Sequence, residues 1–169
     1  MPPKAFSEAI QMVTSEVRSI KPLNWPGETL RLLYQTRLPA EEVWLELSDY
    51  REVIAAIRDM RVRGAPAIGI AGAYAVALAA TEFAHMEAQS FLVELAAAAD
   101  SIAGTRPTGA NLGWAVRRML DVANGAETPR AAVIMLINEA VRLQNEDEAA
   151  NLAIGGGSAQ RCSRPTGPS

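Results

Sequence analysis

The chain has 169 residues, 49% of them hydrophobic and 21% charged, with a net charge of −3. This composition suits one globular domain with a real core and gives no basis for a general nucleic-acid or anionic-membrane partner. The single cysteine, Cys162, excludes an internal disulfide framework and fits a reducing, cytoplasmic setting. The first 20 residues lack a basic region followed by an apolar run, so no secretory signal is expected. The apolar run Ala67 to Ala80 is shorter than the roughly 20 residues that a membrane span needs, and a buried helix is expected there.

Residues 1–15 read as an N-terminal arm or helix. From Val17 to Leu47 the pattern is that of short strands. Leu30, Leu32 and Tyr34 alternate with Arg31, Leu33 and Gln35, and Val43, Leu45 and Leu47 alternate with Trp44, Glu46 and Ser48. Pro22, Pro26-Gly27 and Pro39 punctuate these runs as turns. A small antiparallel sheet is therefore expected over about 16–47, with strands near 16–20, 29–36 and 42–47.

Helices are expected from 49 to 154. Asp49, followed three residues later by Glu52, has the form of a capping box, with Val53, Ile54, Ile57 and Met60 as the apolar face. Pro66 to Phe83 is apolar nearly all round, which predicts a central helix. Gly69 and Gly72 cost it about 1 kcal/mol each relative to alanine, and close helix packing is the expected compensation. An amphipathic helix follows over 88–103. Another runs over 108–123, with Leu112, Ala115, Val116, Met119 and Leu120 at helical spacing, and Gly125 stops it. Thr128 and Pro129 start the last helix as cap and first residue. Glu146, Asp147 and Glu148 read as a solvated face. After Ile154 the composition shifts to Gly, Ser, Pro and Arg, and residues 155–169 are expected to form a disordered, unrelated tail. The fold class is therefore α+β, mainly α: a small N-terminal antiparallel sheet followed by a helical bundle.

Two junctions carry the chemistry. Arg63 and Gly64 stand directly before a proline-started apolar helix. Its start presents unpaired N–H groups and the positive end of the macrodipole. Glycine admits a ligand close to the backbone, and arginine adds a forked, permanent cation. Arg106 precedes Pro107 and Thr108 at a second helix start, where Thr108 is expected to cap and Arg106 to reach a phosphate or a sugar oxygen bidentately. Both junctions suit phosphate. Candidates for other chemistry are weak. His85, the single histidine, reads as a helix-end residue without a tuning partner. Cys162 lies in the expected tail. Asp49, Asp59, Asp100 and Asp121 suit capping or surface roles, and Trp25, Trp44 and Trp114 read as packing residues. No metal-ligand spacing, Walker loop or dinucleotide fingerprint is present in the sequence.

Three segments resemble methylthioribose-1-phosphate isomerase: Leu30 to Pro39 (LRLLYQTRLP), Val62 to Gly69 (VRGAPAIG) and Arg106 to Leu112 (RPTGANL). The likeness runs from about Val17 to Ile154. Weaker versions are shared by regulatory subunits of a translation-initiation exchange factor and by ribose-1,5-bisphosphate isomerase. The resemblance implies a cofactor-free and metal-free aldose–ketose isomerase of methionine salvage, converting 5-methylthioribose 1-phosphate to 5-methylthioribulose 1-phosphate. It implies a homodimer in full-length members and a small-molecule sugar phosphate as ligand. By position, Arg63, Gly64, Ala65 and Arg106 match the family's substrate-binding residues. The Rossmann-like C-terminal domain of the family, with its catalytic cysteine and aspartate, has no counterpart in these residues. Cys162 does not stand in the family's catalytic context, so this chain alone is expected to be inactive. The alternative is a non-catalytic regulatory or interaction domain, as in the translation-factor branch.

Overall fold

The helix Ala65–Phe83 (α2) organises the molecule, because nearly every residue from Ile68 to Ala80 on it is buried. It is surrounded by Tyr50–Arg58 (α1), Ala88–Gly104 (α3), Ala110–Asn124 (α4) and Pro129–Ala159 (α5), all of which pack on it. A helix apolar on every side needs such a jacket. Its length and hydropathy would also fit a membrane crossing, yet 78% of that apolar window is buried inside the protein. The structure is a computed structural model that describes residues 21–159. The N-terminal arm, the strand expected near 16–20 and Cys162 lie outside the described residues.

Three strands, Leu23–Asn24 (β1), Leu30–Leu33 (β2) and Trp44–Leu47 (β3), form an antiparallel sheet in the order β1-β2-β3. Leu32 pairs with Leu23 on one side and Leu45 on the other, while Leu30 pairs with Leu47. The sheet is thus as expected in kind, and β2 and β3 fall inside their expected spans. β1 is a correction. It lies immediately after Pro22, which had been read as a turn, and the Pro22 carbonyl accepts the Leu33 N–H at 2.8 Å. A two-residue strand is too short to show a period of two, so alternation could not reveal it. Leu23, Leu30, Leu32 and Leu47 join the helical core, each buried leucine contributing about 1.5–3 kcal/mol.

The capping box at α1 forms as read: Asp49 accepts from the Arg51 N–H at 2.8 Å, and Glu52 accepts from the Asp49 N–H at 3.3 Å. Thr128 Oγ1 accepts the Ala131 N–H at 3.2 Å and caps α5. Gly69 and Gly72 are explained by close packing. A Cβ on Gly69 would lie 3.1 Å from the Asn111 carbonyl oxygen, and one on Gly72 would lie 2.3 Å from Leu112 Cδ1.

Two boundaries differ from expectation. Helix α1 ends at Arg58, so Met60 leaves the apolar face and is 39% exposed. Helix α5 continues to Ala159, through the glycines placed in the tail after residue 154. Once a helix exists, each added residue gains a backbone bond without a new nucleation cost, so composition alone places its end poorly. At the far edge, Tyr74 donates to Gln144 Oε1 at 2.6 Å and stacks on Trp25, and Gln144 donates to the Leu23 carbonyl at 2.9 Å. This chain of contacts ties β1, α2 and α5 together. Burial pushes the Tyr74 phenol pKa well up, keeping it a neutral donor.

Candidate anion site at two adjoining helix starts

The turn between α1 and α2 is closed by the backbone before any ligand is considered. Met60 N–H donates to Ile57 O at 3.2 Å and Arg61 N–H to Ala56 O at 2.9 Å. That pair of bonds is a Schellman closure, and its left-handed position is normally glycine. Here Met60 occupies it at φ 59°, which costs an L-residue roughly 1–2 kcal/mol. Backbone strain of this kind concentrates at functional sites. The next residues are fastened from the sheet side. Gln35 N–H donates to Arg61 O at 3.0 Å, and Gln35 Oε1 accepts from Arg63 N–H at 2.6 Å.

Gly64 is the N-cap of α2 at φ 90°, a conformation that favours glycine. Ala65 takes the first helical position and Pro66 the second, one place later than expected. Gly64 has no side chain to cap the helix, and the N–H groups of Ala65 and Ala67 find no protein partner among the described residues. Arg63, Gly64 and Ala65 are all exposed. The Arg63 guanidinium makes no hydrogen bond or ion pair with any described residue.

At the second junction the expected cap is corrected. The N-cap of α4 is Gly109, with no side-chain cap, and Thr108 does not fill that role. The reason is the turn itself: Gly109 N–H donates to the Arg106 carbonyl at 2.8 Å, which puts Gly109 at the helix entry. A Cβ there would stand 3.1 Å from the same oxygen. The Arg106 side chain leaves this turn and donates through Nη1 to Met60 Sδ at 3.1 Å. It therefore touches the turn that presents Arg63.

The two starts adjoin, since Gly69 in the second turn of α2 lies against Asn111 in the first turn of α4. Two positive helix ends side by side are unfavourable unless negative charge lies nearby. A cleft of about 240 Å³ opens at this meeting point, and Pro66, Gly69, Asn111, Trp114, Glu146 and Asp147 are among the residues that line it. Neither Arg63 nor Arg106 lines that cleft. Glu146 is exposed and Asp147 and Glu148 half-buried, in keeping with the solvated face expected over 146–148, and the face carries ion pairs. Glu146 pairs with Arg118 at 3.2 Å and Arg142 at 3.0 Å, and Glu148 pairs with Lys21 at 2.7 Å. The Arg118 guanidinium beside Glu146 holds its carboxyl below the usual carboxylate range. Arg118 also bonds Glu139 and lies 5.2 Å from the centre of the Trp114 ring. Trp114, read as a packing residue, is 50% exposed.

The remaining candidates lie in structural roles. His85 Nδ1 donates to the Glu82 carbonyl at 2.9 Å at the far end of α2, as a helix-end histidine should. Asp49 caps α1, and Asp59 pairs with Arg61 at 2.9 Å. Among the described residues, no group of three or more His, Cys, Asp or Glu side chains is placed to hold a metal ion. Sequence reasoning missed Met60, whose signal would have been a helix end without the usual glycine.

A family profile described as the Initiation factor 2 subunit family matches residues 61–163, a segment that contains Arg63, Gly64, Ala65 and Arg106. The chain belongs to this family. Within the Initiation factor 2 subunit family, it is 43% identical over 139 residues to a protein of Syntrophotalea carbinolica named methylthioribose-1-phosphate isomerase. That alignment covers 81% of this chain and 40% of the relative. Among solved structures, 5-methylthioribose 1-phosphate isomerase from Pyrococcus horikoshii superposes with a TM-score of 0.78 at 30% identity, covering 83% of this chain and 40% of that one. The delta subunit of translation initiation factor eIF-2B from A. fulgidus superposes with a TM-score of 0.71 at 36% identity, covering 75% and 37%. The chain thus spans about 40% of the length of the relatives it matches. The expected kinship and fold class both hold.

Proposed function

We propose that this chain is the phosphate-holding part of an aldose–ketose isomerase acting on 5-methylthioribose 1-phosphate in methionine salvage. Arg63, Gly64, Ala65 and Arg106 grip the phosphate end of the sugar, and no metal or organic cofactor takes part. The single observation that carries the reading is the contact of Arg106 with Met60. It joins two arginine-bearing turns at adjoining, uncapped helix starts, a setting that favours a phosphate twice over. Likeness to relatives named for this isomerase supports the substrate class.

The phosphate on the anomeric carbon of such a substrate blocks simple ring opening to a free aldehyde. Isomerisation then needs a proton donor and acceptor and a site closed to water. In this proposal Arg63, Arg106 and the Ala65 and Ala67 N–H groups fix the phosphate, and the contact of Arg106 with Met60 holds the two turns together. The resemblance assigns proton transfer to a cysteine and an aspartate outside these residues. The 169 residues alone are therefore proposed to bind the ligand without turning it over, with the active form a cytoplasmic homodimer.

A second reading, a non-catalytic regulatory or interaction domain, is supported by the likeness to the translation-factor subunit. Titration with 5-methylthioribose 1-phosphate, followed by calorimetry, separates the two. Saturable binding that Arg63→Ala weakens at least tenfold supports the isomerase reading. No binding, or binding unchanged by that substitution, overturns it. Turnover by these residues alone would overturn the proposal that they only bind.

A further inference from the structure

We propose that Gln35 is a positioning residue for the anion site, a role that rests on the phosphate-holding reading above. Gln35 opens the short 3-10 turn Gln35–Arg37 that follows β2, away from both helix starts in sequence. It bonds the α1–α2 turn twice. Its backbone N–H donates to the Arg61 carbonyl at 3.0 Å, and its Oε1 accepts the Arg63 N–H at 2.6 Å. The backbone bond can form with any residue but proline. The side-chain bond requires an acceptor at the length of Gln or Glu, and it fixes the Val62–Arg63 peptide, one residue before Gly64.

The location matters because unusual backbone conformations flank it on both sides. Met60 sits in a strained left-handed conformation and Gly64 at φ 90°, where glycine has many alternatives. Between them, the Arg63 guanidinium makes no hydrogen bond or ion pair with the described residues, and its backbone N–H is held by Gln35. Without the Gln35 bond, the Val62–Arg63 peptide is free to reorient, and the placing of Arg63 before the first helical N–H groups loosens with it. An anion site works only if its donors are held in place before the ligand arrives. Gln35 therefore acts through Arg63 and Gly64 and need not touch the ligand.

The flanking residues support this assignment. Tyr34 lies beneath two guanidinium groups, those of Arg37 at 5.5 Å and Arg61 at 5.4 Å from the ring centre. They leave Gln35 as the side chain that reaches the Arg63 backbone, while Arg61 itself is anchored to Asp59.

The test compares Gln35→Met, which keeps length without an acceptor, with Gln35→Glu, which keeps an acceptor. Two readouts are used on the chain at a temperature where every variant is folded: amide hydrogen exchange at Arg63, and titration with inorganic phosphate. Gln35→Met should speed exchange of the Arg63 amide at least fivefold, while Gln35→Glu should keep it slow. Gln35→Met should also weaken phosphate binding about fivefold, the loss of one ordinary hydrogen bond's worth of positioning. Unchanged exchange in Gln35→Met overturns the proposal whatever the ligand result. Faster exchange with unchanged phosphate affinity reduces Gln35 to a structural clip and also overturns it. Native chain that does not bind phosphate is instead the failure of the phosphate-holding reading, and the positioning role falls with it.

Discussion

The starts of α1 and α5 differ in kind from the starts of α2 and α4. The first pair is closed by its own side chains: Asp49 and Glu52 at α1, Thr128 at α5. The second pair is capped by glycines, Gly64 and Gly109, which offer no side chain at all. Helix α3 also lacks a side-chain cap bond, but Glu87 at its N-cap brings a negative charge to the positive end. A satisfied helix start contributes stability and nothing else. A bare one gives up roughly 1 kcal/mol of capping and leaves donors for a ligand. The two glycine starts adjoin through Gly69 and Asn111, with an arginine before each, and the proposed phosphate site rests on that arrangement.

The largest expected effect tests whether the adjoining geometry is a packing necessity. Gly72→Val pushes a side chain against Leu112 Cδ1, where even a Cβ would lie 2.3 Å away. Leu112 is fully buried and has little room to move. Overpacking of this sort costs about 2–3 kcal/mol, so the urea midpoint should fall markedly. A midpoint within error of the native chain would show that α2 and α4 are not held as closely as described.

The next effect separates the two kinds of helix start. Asp49→Ala should lower unfolding stability by about 1 kcal/mol and leave phosphate affinity untouched. Stability loss together with loss of phosphate binding would dissolve the distinction, since a capped start would then be serving the ligand too.

Much of this layout was legible in the chain, and the reasons are specific. The capping box at Asp49 and Glu52 is a local pattern, and the buried α2 declares itself through the unbroken apolar run Ala67 to Ala80. The glycines at 69 and 72 signalled close approach because helix packing, more commonly than a ligand, offsets their cost in a helix. What escaped is non-local or too short. Strand β1 has two residues. Thr108 looked like a cap because its residue type fits, but the turn closing on the Arg106 carbonyl moved the helix entry to Gly109. The contacts Gln35–Arg63 and Arg106–Met60 join residues 28 and 46 positions apart, beyond the reach of any local pattern. The carboxylates of 146 and 148 found their arginine and lysine partners on other elements in the same way.

The smallest effect concerns Glu146, which lines the cleft beside the bare starts. Glu146 has its folded pKa depressed by Arg118, so it stabilises the fold above the ordinary glutamate pKa, and that contribution is lost as pH falls through the depressed value. Glu146→Gln should flatten the acid limb of stability against pH and change little at neutral pH. An acid limb identical in both proteins would show that the pairing with Arg118 carries no weight in solution.

The most direct measurement is an inorganic phosphate titration of the native chain and of the Arg63→Ala, Arg106→Ala double variant, followed by amide NMR. The account predicts saturable shifts centred on Ala65, Ala67 and the first turn of α4 in the native chain, and their disappearance in the double variant. Shifts elsewhere, or identical shifts in both proteins, would contradict it.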